Sequence, residues 1–273
     1  MELTCVSRSE EQTVALGSVL AGVLRAGDVV TLDGELGAGK TRVVRGLCRA
    51  LGIDAATVAS PTYVIVHQYP ADNTQGIGTL SHVDAYRLGG EDELESVGWE
   101  HVIDRSAGRA ALGTAAVIEW SRRIGGAVES LDGAHVARVE MEGVEDHADR
   151  RRVTLRLPDA WIARPALTNA PGWPSPGEAL VDAFVRLGAA LPHGWTRCPV
   201  SHRAVSPANP HFPFADDRSR QADLGKWLSG SYTVSRELRE DDLGDPDLAP
   251  GPGSGGWMSR GSDHRRGDGV PGL

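Results

Sequence analysis

Residues 34–41 read Gly-Glu-Leu-Gly-Ala-Gly-Lys-Thr, two glycines five apart with a lysine and a hydroxyl directly after the second. Phosphate oxygens need several backbone N–H groups aimed at one point, and glycine lets a chain curl that tightly because no Cβ intervenes. A helix starting near Gly39 would add its free N–H groups and the positive end of its dipole. Lys40 would supply a mobile charge for β- and γ-phosphates, and the Thr41 hydroxyl is a ligand type suited to Mg²⁺. The spacing is that of a phosphate-binding P-loop, and the chemistry it implies is nucleoside triphosphate binding.

Such a loop works only between a strand and a helix, and both are legible. Val29 to Leu32 form a short β-branched, apolar run with the profile of a buried strand. After Gly39, Val43, Leu47 and Leu51 recur four apart with Val44 and Cys48 beside them, one apolar face of a helix. Residues 115–120 (AAVIEW) read as a central parallel strand ending in Glu119. Ligands of open α/β sheets bind beyond the carboxyl ends of the strands, which puts residues 34–41 and Glu119 at one rim. Glu119 there is an Mg²⁺-side acid. Asp84 ends the strand-like run 79–84 and is either a magnesium-organising or water-activating acid or a turn aspartate. Ser60-Pro61-Thr62 is either a strand-leading turn or a loop whose hydroxyls approach the γ-phosphate or Mg²⁺. Trp120 is either packing or a lid over the site.

The other segments complete a mixed α/β domain over residues 1–157. Residues 2–6 suit an edge strand, and Ser9 with Gln12 has capping-box spacing ahead of an apolar helical face from Val14 to Leu24. Residues 62–84 suit a β-hairpin turned at Pro70 to Asn73, and Glu91 to Glu95 a short acidic helix start. Residues 134–141 and 151–157 alternate and suit a closing hairpin, with Arg150, Arg151 and Arg152 as solvated edge charges or, as the lesser alternative, one of them as a phosphate or partner contact. Residues 1–157 hold 23 acidic and 16 basic side chains, a net of −7 within a total of −9. Such a domain has no broad positive field, so DNA is excluded as a partner and any RNA link runs through another protein. Three scattered cysteines make neither a disulfide framework nor a zinc site. No membrane-length apolar run or basic-then-apolar leader occurs, so a cytoplasmic protein is expected.

With these pieces in order, the chain resembles the TsaE (YjeE) family, the P-loop ATPases of bacterial threonylcarbamoyladenosine synthesis. The resemblance rests on GELGAGKT (34–41), SPTY (60–63), HVDAYRL (82–88) and VIEW (117–120), in the family's order and spacing over about residues 1–157. It implies a single compact P-loop fold with a mixed sheet. It also implies ATP and Mg²⁺ as cofactors, and hydrolysis in support of a TsaB–TsaD pair that modifies adenosine 37 of tRNAs reading codons that begin with A. Lys40 would hold the phosphates, and Thr41 and Glu119 would share Mg²⁺. Asp84 would position or activate the attacking water at the metal. Around the nucleotide the loop would contribute Glu35, Leu36, Gly37, Ala38 and Gly39, and the helix start Lys40, Thr41 and Arg42. Thr62 and Trp120 would reach the nucleotide from outside the loop. The sequence departs from the family at Glu35, where Asp is common, at Arg42, where a second Thr is common, and at Ser121, where proline is usual. Arg87 is the nearest internal candidate for an arginine finger, so slow turnover stimulated by a partner is expected.

From Pro158 the resemblance stops. Fourteen of the 16 prolines and five of the seven tryptophans follow Leu157. Residues 176–191 suit one amphipathic helix, and the rest of 158–273 is expected to be disordered, because Pro/Gly-rich sequence without periodicity buries too little surface to offset chain entropy. It is either a partner-binding tail or an unselected extension. Two other function classes share strand, P-loop and helix: a small-molecule or nucleotide kinase, and a non-hydrolysing ATP-dependent scaffold. A kinase should carry an arginine-rich lid, and none stands out between residues 88 and 134.

Overall fold

The computed structural model describes residues 1–61, 65–72, 76–95, 98–102, 113–164 and 175–228. In chain order its elements are β1 (Glu2–Ser7), α1 (Glu10–Val23), β2 (Val29–Gly34), α2 (Lys40–Ala50), β3 (Val66–Pro70), β4 (Ile77–Asp84), α3 (Trp99–Val102) and β5 (Gly113–Glu119). There follow α4 (Gly125–Glu129), β6 (Val136–Val144), β7 (His147–Arg156), α5 (Asp159–Ile162), α6 (Pro176–Arg186), β8 (Thr196–Arg197), β9 (Ala204–Val205) and α7 (Asp217–Leu228). Seven strands form one sheet in the order β1-β7-β6-β2-β5-β4-β3. The P-loop strand β2 is central, parallel to β5 and β6, while β3 and β7 run antiparallel to their neighbours. This is the mixed α/β sheet expected from the sequence.

The central strands are apolar on both faces because both faces are covered. Val30 and Leu32 of β2 and Val117 of β5 pack under α1 and α2, whereas Val29, Ala116 and Ile118 face the opposite layer with Val83, Val102 and Val128. At the start of α1 the Ser9 hydroxyl accepts from the Gln12 N–H at 3.2 Å. The Gln12 side chain returns to the Arg8 N–H at 2.7 Å, one residue earlier than the standard box. The hairpin expected over 62–84 is β3 and β4, and the closing one is β6 and β7. No helix among the described residues is long and apolar enough to cross a membrane. Cys5 and Cys48 are buried, and burial pushes each thiol up to about 12.

The structure differs from expectation after Leu157. One compact unit runs from Met1 to Leu228. Trp161 of α5 is fully buried and donates from its indole N–H to the Ala134 carbonyl at 3.0 Å. The predicted helix is α6, started by a Ser175–Glu178 capping box and ended before Gly188 at φ +100°. Its Leu180, Val181, Phe184 and Val185 join the same core as Leu16 and Leu20 of α1. The Val6 N–H on edge strand β1 donates to the Leu187 carbonyl at 3.2 Å. Glu178, also buried, accepts from the Ser206 N–H at 3.1 Å and from Asn209 at 2.8 Å, tying the β8–β9 region to α6. Burial pushes the enclosed Cys198 thiol up, but the neighbouring Ser201, whose backbone N–H donates to the sulfur at 3.4 Å, and the nearby backbone N–H groups of Ala215 and Val200 outweigh it and bring it to about 7. The expectation of disorder treats the extension as a chain that must build its own core. In the structure it completes a core whose other half α1 and β1 already supply, so less apolar sequence suffices. Residues 229–273 lie outside the described residues.

Candidate nucleotide-binding site

The loop between β2 and α2 has the local form its sequence requires. Gly34 sits at φ +153°, and a Cβ there would stand 2.3 Å from the Met141 carbonyl oxygen of β6, so no other residue fits against that strand. Gly39, the residue before α2, is left-handed at φ +101°, and no side chain caps the helix. The first N–H groups of α2 are therefore left to a ligand or to water. Leu36 at the loop crest is 83% exposed, and Glu35 and Gly37 are exposed beside it.

Lys40 is only 5% exposed. Its ammonium donates to the carbonyls of Gly34 at 2.7 Å and Glu35 at 2.9 Å, and lies 3.7 Å from the centre of the Trp120 ring. Burial pulls this ammonium below its ordinary value, while the carboxylates of Glu119, Asp84 and Asp33 pull it back up. Trp120 reaches the lysine because it adopts φ +60°, uncommon for a bulky residue, immediately after β5. Its N–H still donates to Leu32 at 2.9 Å, and its ring meets that of Tyr86 at 5.0 Å.

Strand register gathers the acids. Glu119 on β5 pairs with Leu32 of β2 on one side and with Asp84 of β4 on the other. The Thr41 hydroxyl donates to Glu119 Oε1 at 3.0 Å, and His82 Nε2 lies 2.9 Å from the same oxygen. Asp84 accepts from the Ser60 hydroxyl at 2.6 Å and from the Tyr86 N–H at 3.0 Å. Lys40, Thr41, Asp84, Glu119 and Trp120 thus converge at the carboxyl end of the sheet. Arg42 turns to α1, its guanidinium 3.0 Å from Glu10. Arg87 is exposed on a short turn after β4. Thr62 lies outside the described residues, so only the Ser60 half of its loop is seen. Thr41, Asp84 and Glu119 present oxygen donors alone, a hard set that suits Mg²⁺. Among the described residues no group of three or more His, Cys, Asp or Glu forms a metal site by itself.

Three residues at the site have no assigned role in the sequence reading, and a fourth, Arg151, read there as a solvated edge charge, is instead bonded to the phosphate loop. His82 is fully buried behind Glu119, and its Nδ1 has no hydrogen-bond partner among the described residues. It stands two residues before Asp84, and the period of a strand already puts both on one face. Asp33 accepts from the Ser121 hydroxyl at 2.5 Å and from the Arg122 N–H at 3.2 Å. Ser121 therefore ties the end of β5 to the end of β2. Arg151 on β7 donates to the loop carbonyls of Gly37 and Ala38, a contact that no local pattern could reveal.

The first part of the chain is similar in sequence to known proteins. The family model described as threonylcarbamoyl adenosine biosynthesis protein TsaE matches residues 7–153. A tRNA threonylcarbamoyladenosine biosynthesis protein TsaE from Streptomyces coelicolor is 43% identical over 150 residues, covering 54% of this chain and 91% of that protein. The protein of the same description from Mycobacterium leprae is 39% identical over 126 residues, 46% of this chain and 74% of its own length. The crystal structure of YdiB from Bacillus subtilis aligns at 25% identity with a TM-score of 0.40, covering 59% of this chain and 89% of YdiB. A second family model, described as DNA gyrase inhibitor YacG, matches residues 196–245. With a family model matched over more than half of the 273 residues and a relative covered almost end to end, the chain belongs to the TsaE family.

Proposed function

We propose that this chain binds and hydrolyses ATP with Mg²⁺ as an accessory subunit for threonylcarbamoylation of adenosine 37 in tRNAs reading codons that begin with A, acting with a TsaB–TsaD pair. The observation that carries the reading is the convergence of Lys40, Thr41, Asp84 and Glu119 on one sheet rim in a chain of this family. Phosphoryl transfer to water asks a protein mainly to position groups and neutralise charge. The N–H groups of Gly39, Lys40 and Thr41 would cradle the phosphates, and Lys40 would exchange its two loop carbonyls for phosphate oxygens. Thr41 and Glu119 would hold Mg²⁺, which when bound neutralises charge on the β- and γ-phosphates. For that, the Thr41 hydroxyl has to give up its hydrogen bond to Glu119. Asp84, fixed by Ser60 and the Tyr86 N–H, would orient and take a proton from the attacking water. Among the described residues, the groups bonded to the side chains of Lys40, Thr41 and Glu119 include no arginine, which supports slow turnover that a partner raises. The acidic balance of residues 1–157 supports reaching tRNA through the complex rather than directly, and the protein would work in the cytoplasm.

Phosphate release from ATP–Mg²⁺ by the full chain, with and without its own TsaB–TsaD pair, tests the proposal. Stimulation by the pair, abolished in Lys40→Ala, is the expected result. ATP binding with no stimulation would remove the accessory role and leave the scaffold reading, and a phosphorylated small-molecule product would establish the kinase. Asp84→Ala and Glu119→Ala separate the two acids, since loss of ATP–Mg²⁺ affinity in Asp84→Ala alone would reverse their roles.

The match of residues 196–245 supports a second reading for the C-terminal part, that it also binds DNA gyrase. Supercoiling by gyrase titrated with the full chain and with a chain ending at Leu191 tests it; equal effects of the two would sink it.

A further inference from the structure

The phosphate loop is braced from outside by a residue distant in sequence. Arg151 donates from Nε to the Ala38 carbonyl at 3.1 Å and from one terminal nitrogen to the Gly37 carbonyl at 3.2 Å. Its other terminal nitrogen reaches the carbonyls of Ala148 at 2.6 Å and Arg150 at 2.7 Å. The neighbouring arginines of β7 behave differently. Arg152 pairs with Glu142, and Arg156 with Glu2 and Glu140. Arg151 bonds only to carbonyls, and no carboxylate among the described residues pairs with it. The backbone of Arg151 is itself held within the sheet, opposite Ser7 of β1 and Gly143 of β6.

Two physical consequences follow. Peptides flanking glycine turn over easily, and the stretch Gly37-Ala38-Gly39 holds two glycines at φ +79° and +101°. A trans peptide points its carbonyl and the next N–H in opposite directions. Anchoring the carbonyls of Gly37 and Ala38 on the Arg151 side therefore turns the N–H groups of Ala38 and Gly39 to the other side. The Ala38 N–H donates to the Glu35 carbonyl at 3.1 Å, closing the turn, and that of Gly39 points opposite the Ala38 carbonyl, away from Arg151. The second consequence is electrostatic. A guanidinium with no acid partner leaves its positive charge just behind a loop built for anions.

We propose that Arg151 is a positioning residue for polyphosphate binding, its fork fixing the Gly37–Ala38 and Ala38–Gly39 peptides and its unpaired charge favouring phosphates in the loop. The inference rests on the nucleotide-binding reading above and deepens it, because Arg151 acts on the phosphates and not on the base. The test is the affinity of the full-length chain for ATP, ADP and AMP, by calorimetry, in Arg151→Ala and Arg151→Lys, with thermal melts to verify folding. Arg151→Ala is expected to weaken ATP and ADP about tenfold and AMP less than about twofold, with turnover at saturating ATP kept within about twofold. Arg151→Lys keeps the charge without the fork and should fall between. Guanidinium chloride at tens of millimolar should restore part of the ATP affinity of Arg151→Ala, and none to Lys40→Ala. Unchanged ATP affinity in Arg151→Ala, with Lys40→Ala still defective, would overturn the inference and leave the nucleotide reading intact. So would an equal loss for ATP and AMP that guanidinium does not relieve. Should Arg151→Ala fail to fold, the ATP-to-AMP ratio in Arg151→Lys decides by the same criterion. A wild-type chain that binds no ATP would sink both ideas together.

Discussion

A carboxylate meant to serve a cation must be held without being consumed. Among the described residues Glu119 takes its side-chain partners, Thr41 and His82, on Oε1, which would leave Oε2 for the proposed Mg²⁺. His82 is buried in the sheet with its Nδ1 unpartnered among the described residues, an arrangement that costs free energy, and its Nε2 holds Glu119 in one orientation. His82→Ala is expected to lower turnover at saturating ATP and Mg²⁺ by about 10- to 100-fold, with Mg²⁺-free nucleotide affinity little changed. A parallel loss in both measurements would reduce His82 to a packing residue. The sequence made Lys40, Thr41, Asp84 and Glu119 legible because each sits in or beside a motif whose chemistry is local. His82 was legible in principle from its two-residue offset to Asp84. The roles of Asp33 and Ser121 were not, since their contact spans 88 positions and depends on how β2 and β5 end side by side.

At the scale of elements, the position of Lys40 and Thr41 is set by how α2 lies on α1. The two helices touch backbone to backbone. A Cβ on Gly46 would stand 2.0 Å from the Val14 carbonyl oxygen, and one on Gly17 would stand 2.2 Å from that of Val43. The Ser18 hydroxyl crosses the contact to the Gly46 carbonyl at 3.0 Å. Gly46→Ala must push the helices apart, and a loss of about 3 kcal/mol in unfolding free energy is expected from denaturant titration. Because the displaced helix carries Lys40 and Thr41 in its first turn, ATP affinity should fall with it. A variant with unchanged midpoint would show that the pair can slide at no cost. The helices themselves were legible from apolar periodicity, whereas the need for glycine at their crossing was not, because periodicity says which face is buried and not how close the partner comes.

The whole molecule joins the TsaE-like region to residues 158–228 through one core. Arg164 forks onto the fully buried Asp28, which also meets His135 at 3.1 Å and the Arg25 N–H at 2.7 Å. Ending the chain at Leu157 would remove that cation from a buried acid, and would uncover α1 where Leu180, Val181, Phe184 and Val185 now lie. Burial of a side chain of this size stabilises by about 1.5–3 kcal/mol. Breaking a buried ion pair costs about 3–5 kcal/mol. Together these rival the whole stability of a typical domain, about 5–15 kcal/mol. Residues 1–157 alone are therefore expected to unfold or aggregate under conditions where 1–228 melts cooperatively, as circular dichroism would report. Equal melting temperatures would show the extension to be an ornament on a self-sufficient fold.

What the sequence by itself determined is everything carried by short-range pattern. The strand–loop–helix of residues 29–51, the acids at two strand ends, the two hairpins and the start of α6 all follow from spacing and residue type. What only the tertiary structure decided is everything that needs two distant segments to meet. The register that sets Asp84 beside Glu119, the reach of Arg151 to the phosphate loop and the order within 188–228 are of that kind. The physical reason is common to all three. A motif reports the chemistry its own residues can perform, but whether a segment is worth ordering depends on the surface that another segment brings to it.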